Sequence, residues 1–192
     1  MKTKALFLTF LMAAAPLFAT ALIMPVLGTT VPKMDLRALV NASDRILQGK
    51  VDAMDVEVVV EEGQRRPYAR VRVRVDDPIY AKRGDRRQAV FLRFIGGVMD
   101  TPKGPVEVSV SGMPKFHMGD NVILFLRENR DGTNHQVVGL NQGKYLVVNE
   151  VAISNVSGVE LVDPKTGKAL PGAYTESAPV DAFKAKIREL LK

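Results

Sequence analysis

A chain of 192 residues with no cysteine and a net charge of +6 excludes several classes at once. Disulfide-framework modules, thiolate metal centres and cysteine nucleophiles have no residue to be built from. The charge excess is too mild to mark a nucleic-acid binder, and the length suffices for one domain that buries roughly 70% of its unfolded surface without a covalent staple.

Lys2 and Lys4 form a short basic head, and Ala5 to Leu27 follow without one charged side chain. This is the layout of a secretory signal peptide, with Ala19-Thr20-Ala21 offering small residues at the spacing a signal peptidase reads. Roughly 20 apolar residues also suffice to cross a bilayer, so an uncleaved anchor over residues 5–27 is the rival reading. Pro16 and Pro25 interrupt the run and favour cleavage of residues 1–27 as a signal. Either way the rest of the chain is expected outside the cytoplasm, in the periplasm or the extracellular space. Removal of residues 1–21 takes away both lysines and leaves 171 residues at a net charge of +4.

Residues 28–33 read as an extended lead-in, and Asp35 to Ala42 as a short helix with Leu36, Leu39 and Val40 on one face. The period then becomes two. Leu47, Gly49, Val51 and Ala53 share one face, whereas Val56, Val58 and Val60 continue on the other parity. A strand changes parity only through an extra residue, which predicts a β-bulge at about Met54-Asp55. Glu62-Gly63-Gln64 is a turn. In Tyr68 to Val75, Val71, Val73 and Val75 point inward and Tyr68, Arg70, Arg72 and Arg74 outward. Asp76-Asp77-Pro78 ends or kinks that strand. A charged loop over Lys82 to Arg87 precedes Val90 to Ile95, apolar on both faces except at Arg93 and read as a central strand. Val106, Val108 and Val110 alternate as a further strand. Val122 to Leu126 is the most buried strand by composition, and Asn129 to Asn134 a polar hairpin loop. Val137 to Leu140 and Lys144 to Val148 are two more strands, and Val151 to Val162 can add a hairpin.

Residues 163–178 read as a connector rich in Pro, Gly, Lys and Thr. Pro179 suits the first turn of a helix over 179–192, with Val180, Phe183, Ile187, Leu190 and Leu191 as its apolar stripe. That helix can pack on the body, dock on a partner or lie on a membrane; a narrow stripe and few basic residues favour packing on the body. The expected class is mostly β: an OB-like small β-barrel over residues 34–162, with a short N-terminal helix and a C-terminal helix. A β-sandwich is the alternative.

Three stretches carry a resemblance: Leu-Val-Asn-Ala-Ser-Asp-Arg-Ile-Leu-Gln-Gly-Lys-Val over 39–51, Pro-Lys-Phe-His-Met-Gly-Asp-Asn-Val-Ile-Leu-Phe-Leu over 114–126, and Val-Gly-Leu-Asn-Gln-Gly-Lys-Tyr-Leu-Val over 138–147. They resemble a group of small, largely uncharacterised exported bacterial proteins, sometimes encoded beside matrixin-type metalloproteases. The pattern is also similar to the netrin-like OB barrel of tissue inhibitors of metalloproteinases. The resemblance implies an OB-type fold and a binding or inhibitory role, and no catalytic one. Those inhibitors insert an N-terminal cysteine at the protease zinc, which this chain lacks, so their mechanism carries over to none of its residues.

The residues themselves offer one candidate binding surface: Tyr68, Arg70, Arg72 and Arg74 along one strand face, with Arg93 on its neighbour. Side chains two apart on a strand lie about 7 Å apart, close to the phosphate spacing of a stretched single strand. OB barrels bind oligonucleotides on such faces with a basic groove and stacking aromatics. Equally, alternating arginines make an ordinary solvated face that keeps strands of other chains away. His117 and His135, 18 positions apart without a paired-histidine spacing, do not make a metal site, and no metal or cofactor is expected. Asp52, Asp55, Glu57, Glu61 and Glu62 can bind calcium through oxygens or simply balance nearby arginines. Gly96-Gly97 and Gly104 bracket a loop. No nucleophile elbow, zinc-protease motif, P-loop or dinucleotide fingerprint is present, so no enzyme is expected. The leading expectation is an exported, non-enzymatic binding module for a protein partner, with a secreted metalloprotease as the candidate. An oligonucleotide or polyanion binder and a structural envelope component are the alternatives.

Overall fold

The computed structural model describes residues 29–192, except Arg83, Arg86, Asp131 and 171–173; the signal or anchor expected over 1–27 lies outside the described residues. The expected extended lead-in holds β1 (Thr29–Pro32), and it leads to α1 (Leu36–Asn41), whose first turn is capped by Asp35 accepting from the Ala38 amide at 2.7 Å. Leu39 and Val40 are its buried residues.

Two long strands follow, β2 (Arg45–Glu61) and β3 (Gln64–Ala81), joined by Glu62 and Gly63 at φ 52° and 78°. Positive φ at both central residues is the tight turn whose twist matches paired strands. Pairing slips between Val51 and Ala53, so Asp52 is the extra residue. The bulge exists, but at Asp52 and not at Met54-Asp55. It does swing the even positions from Met54 onward to the face that Val71 shares. On the β3 side, slips beside Asp77 and Pro78 bend the strand without ending it. Gly49 sits where β2 presses on β3: a Cβ there would collide with the Arg74 carbonyl oxygen.

The chain continues through β4 (Ala89–Ile95), β5 (Gly97–Thr101), β6 (Gly104–Val108), β7 (Asn121–Glu128) and β8 (His135–Val137). A short 3-10 turn over Leu140–Gly143 then leads to β9 (Lys144–Val148), β10 (Val151–Val156), β11 (Val159–Val162), β12 (Tyr174–Pro179) and α2 (Val180–Leu190). Strands β7, β2, β3, β4 and β8 form a closed ring, β8 pairing antiparallel with β7 and parallel with β4 at the Leu92–His135 bridge. That ring is the OB-like barrel; β9, β10 and β12 extend the same sheet outward from β7.

Several expected elements differ. The bracketed loop is a hairpin, β5 against β6, and its second strand stops at Val108. The strand expected over Val137 to Leu140 ends at Val137, where the chain turns. No β10–β11 hairpin forms among the described residues: β11 pairs in parallel with β1. The expected connector contains a strand, because β12 finds a full ladder on β10, from Val156–Tyr174 to Val151–Pro179.

Alternation sorts side chains into two cores. Leu47, Val51, Val71, Val73, Val90, Leu92, Val122, Leu124 and Leu126 fill the barrel. Ile46, Ile123, Phe125, Tyr145 and Ala152 face outward and are covered by Leu39 and Val40 of α1 and Val180, Phe183 and Ile187 of α2. β7 is apolar on both faces because it serves both cores. The C-terminal helix therefore packs on the barrel, its Phe183 ring 4.5 Å from Tyr145 and 6.2 Å from Phe125.

Candidate functional site

β7 pairs with β2 only from Arg45 to Lys50, whereas β3 follows β2 to its end. β3 in turn stays paired with β4 from Tyr68 to Arg74, so past Val51 β2 is the edge of the sheet, and the β2–β3 arm, with two unlike faces, runs beyond β4 only at Val58–Glu61 and Gln64–Pro67. On one face lie all five residues expected to bind. Arg70 stands opposite Arg93 across β3 and β4, and Tyr68, Arg72 and Arg74 flank it along β3. The Arg93 guanidinium stacks 3.7 Å from the Tyr68 ring centre. The Tyr68 hydroxyl donates to Glu61 at 2.8 Å, and that bond to a carboxylate pushes the phenol pKa up.

Each arginine also meets an acid. Arg70 lies 3.5 Å from Asp55 and 3.8 Å from Glu57, Arg93 3.7 Å from Glu57, Arg72 3.6 Å from Asp52, and Arg74 3.3 Å from Asp76. The acidic run expected along β2 is the partner row of the arginines, and the surface alternates in sign instead of forming a uniformly basic groove. Phe91 joins this face opposite Arg72 and is 45% exposed. Sequence reading missed it, although its parity with Arg93 carried the signal.

The other face of the arm is apolar and open. The bulge at Asp52 turns Met54, Val56, Val58 and Val60 toward the side of the barrel core, but β7 no longer runs beside β2 there. They remain 40%, 42%, 37% and 66% exposed. The β5–β6 hairpin touches this face. Gly97, at φ 118°, approaches Val56 so closely that a Cβ would lie 2.7 Å from a valine methyl, and Arg65 donates to the Asp100 carbonyl at 3.0 Å.

A separate ionic cluster lies where β2 begins. Arg45 is almost wholly buried; it donates to Asp85 at 2.6 Å and to the Arg87 carbonyl at 2.6 Å. Arg87 bridges Asp85 at 2.7 Å and Glu128 at 3.2 Å. Hydrogen bonds from Arg87 lower the Asp85 pKa to about 2, against the opposing effect of its burial. His135, buried in β8 beside this cluster, has its pKa lowered by burial first and then by Arg87 and Arg45. Among the described residues, its Nδ1 and the Arg45 Nε have no hydrogen-bond partner. His117 is exposed beside Asp120, at 3.8 Å. Among the described residues, no three His, Cys, Asp or Glu side chains gather as a metal site. The ion pairs tie the start of β2 to the β3–β4 loop and to β7.

No protein-family model, no curated protein and no solved structure matches this chain. Among the described residues, no helix is long and apolar enough to cross a membrane.

Proposed function

We propose that this chain is an exported, non-enzymatic binding module, acting in the periplasm or outside the cell on a protein partner through the β2–β3 arm. One observation carries the reading: four large apolar side chains, Met54, Val56, Val58 and Val60, stand exposed in a row and add little to either core. Exposed apolar patches edged by charge mark interaction sites. The resemblance to metalloproteinase inhibitors makes a secreted metalloprotease the first partner to try.

A second reading rests on the opposite face, where Tyr68 and Phe91 lie among Arg70, Arg72, Arg74 and Arg93 on strands that OB barrels use for oligonucleotides. The full-length protein, tagged at its C-terminus, tests both. Capture from the exported fraction is compared with a Val56→Ser/Val58→Ser variant and with an Arg70→Ser/Arg72→Ser/Arg74→Ser variant. A protein lost only from the valine variant, and retained between about 50 mM and about 200 mM salt, supports the proposal. Nucleic acid or mixed polyanions released over that range, and lost from the arginine variant, support the second reading. Capture of neither by a folded, abundant protein leaves the structural envelope role.

A further inference from the structure

We infer that the free edge of β2, from Ala53 to Glu61, is a strand-addition site for an extended partner segment in which basic and apolar residues alternate. The inference rests on the protein-partner reading and specifies the chemistry of the partner.

The edge is geometrically available. On the β7 side, the last backbone bonds of β2 are those of Val51, which donates to the Asp120 carbonyl and accepts from the Gly119 amide, both at 2.9 Å. Beyond it, nothing among the described residues pairs with that side of β2, while β3 holds the other side through Glu61. An edge of this kind presents unpaired N–H and C=O groups in strand register, and an extended segment can add to it as a further strand. The stretch holds no proline and no lysine, two residues that commonly blunt exposed edges. Its valines favour the extended state.

Side chains on the edge select the occupant. Met54, Val56, Val58 and Val60 form the row on one face; Asp55, Glu57, Val59 and Glu61 form the row on the other. A second copy fits badly. In an antiparallel pair related by a twofold axis perpendicular to the sheet, residues of one row oppose residues of the same row. Centred on Val58, the pair sets Asp55 against Glu61; centred on Val56, Asp55 against Glu57; centred on Glu57, that residue against itself. Every register centred between Asp55 and Val59, the ones that pair at least five residues of the edge, opposes like charges. A partner strand with Lys or Arg at alternate positions instead repeats what β3 does on the inner side. There Arg70 reaches Asp55 and Glu57, and Arg66 reaches Glu61 at 3.8 Å. The carboxylates would then lie between two rows of cations, and the partner's apolar residues would cover the exposed valines. The acids thus repel another copy and attract a basic strand, so the same row sets both solubility and specificity.

The test uses the full-length protein and three synthetic peptides of about nine residues, the length of the free edge. One alternates Val with Lys and Arg, one alternates Val with Glu, and one scrambles the first so that the alternation is lost. Binding is read by calorimetry, and its location by amide hydrogen exchange. We expect the alternating basic peptide to bind and to slow exchange of amides within Ala53–Glu61, and the acidic and scrambled peptides to bind about tenfold more weakly or not at all. An Asp55→Lys/Glu57→Lys variant, shown folded by its melting transition, should reverse the preference toward the acidic peptide. Equal binding of the scrambled peptide, or binding without protection on β2, overturns the inference. So does protection that develops with protein concentration alone, which makes a second copy the occupant. Should the captured protein partner bind the charge-reversed variant as well as the wild type, the partner reading stands and the edge site falls. Failure of every capture removes both.

Discussion

Gly49 has no room for any other side chain. A methyl group there meets the Arg74 backbone carbonyl, which cannot move without breaking the β2–β3 ladder. We expect Gly49→Ala to cost about 2–3 kcal/mol, read as a lower urea midpoint at unchanged slope. His135 gives a pH signature. Its folded-state pKa lies below the ordinary 6.5 because burial and the adjacent Arg87 and Arg45 disfavour the cation, while Glu128 and Asp85 oppose them weakly. Above pH 6.5 the imidazole is neutral in both states, and its contribution to stability is complete. As pH falls below 6.5 the unfolded chain takes up the proton first, so stability declines until the folded-state pKa is passed. The wild type should therefore lose urea resistance between about pH 7.5 and about 5.5, and His135→Gln should flatten that slope. At this scale, alternation along β3 put Arg70, Arg72 and Arg74 on one face, and the β3–β4 pairing brings Arg93 beside them. The sequence left Phe91 and the buried Arg45–His135 cluster unseen, because burial of a charge depends on which loops and strands meet it.

The terminal helix was legible from its stripe alone, since Val180, Phe183 and Ile187 fall on one face at helical spacing and all three are buried. Its binding place was not, because the outer face of β7, β9 and β10 exists only in the assembled sheet. Phe183→Ala should cost about 3–5 kcal/mol by opening a cavity beside Tyr145 and Phe125, measured by chemical denaturation. The strands offer a sharper contrast. Val73 is fully buried in the barrel and Val58 is 37% exposed on the arm, although both sit in alternating valine runs. Val73→Ala should cost about 2 kcal/mol and Val58→Thr less than about 0.5 kcal/mol, by the same measurement. Strand β12 escaped notice because Tyr-Thr-Glu-Ser-Ala-Pro has no apolar period. What makes it a strand is the ladder that β10 offers.

Across the whole molecule, two cores share β2 and β7, so neither core can loosen without the strands that form the other. Unfolding should be one cooperative event. Ile187→Ala in the outer core and Val73→Ala in the barrel should lower a single midpoint, with far-ultraviolet ellipticity and tyrosine fluorescence changing together; separate transitions would show the helical layer to be independent. The period-two runs, the parity change in β2, the turn residues and the terminal stripe are local, because a pleated strand or a helix imposes its spacing on the residues that compose it. From them the sequence by itself determined a mostly β chain with a helix at each end and a bulged first barrel strand. Pairing between distant segments is not local. β1 with β11, β12 with β10, and β8 closing the ring between β4 and β7 each join stretches whose own composition does not name a partner. Only the tertiary structure decided those pairings. The extent of β7 set where β2 becomes a free edge, and so left its row of valines exposed.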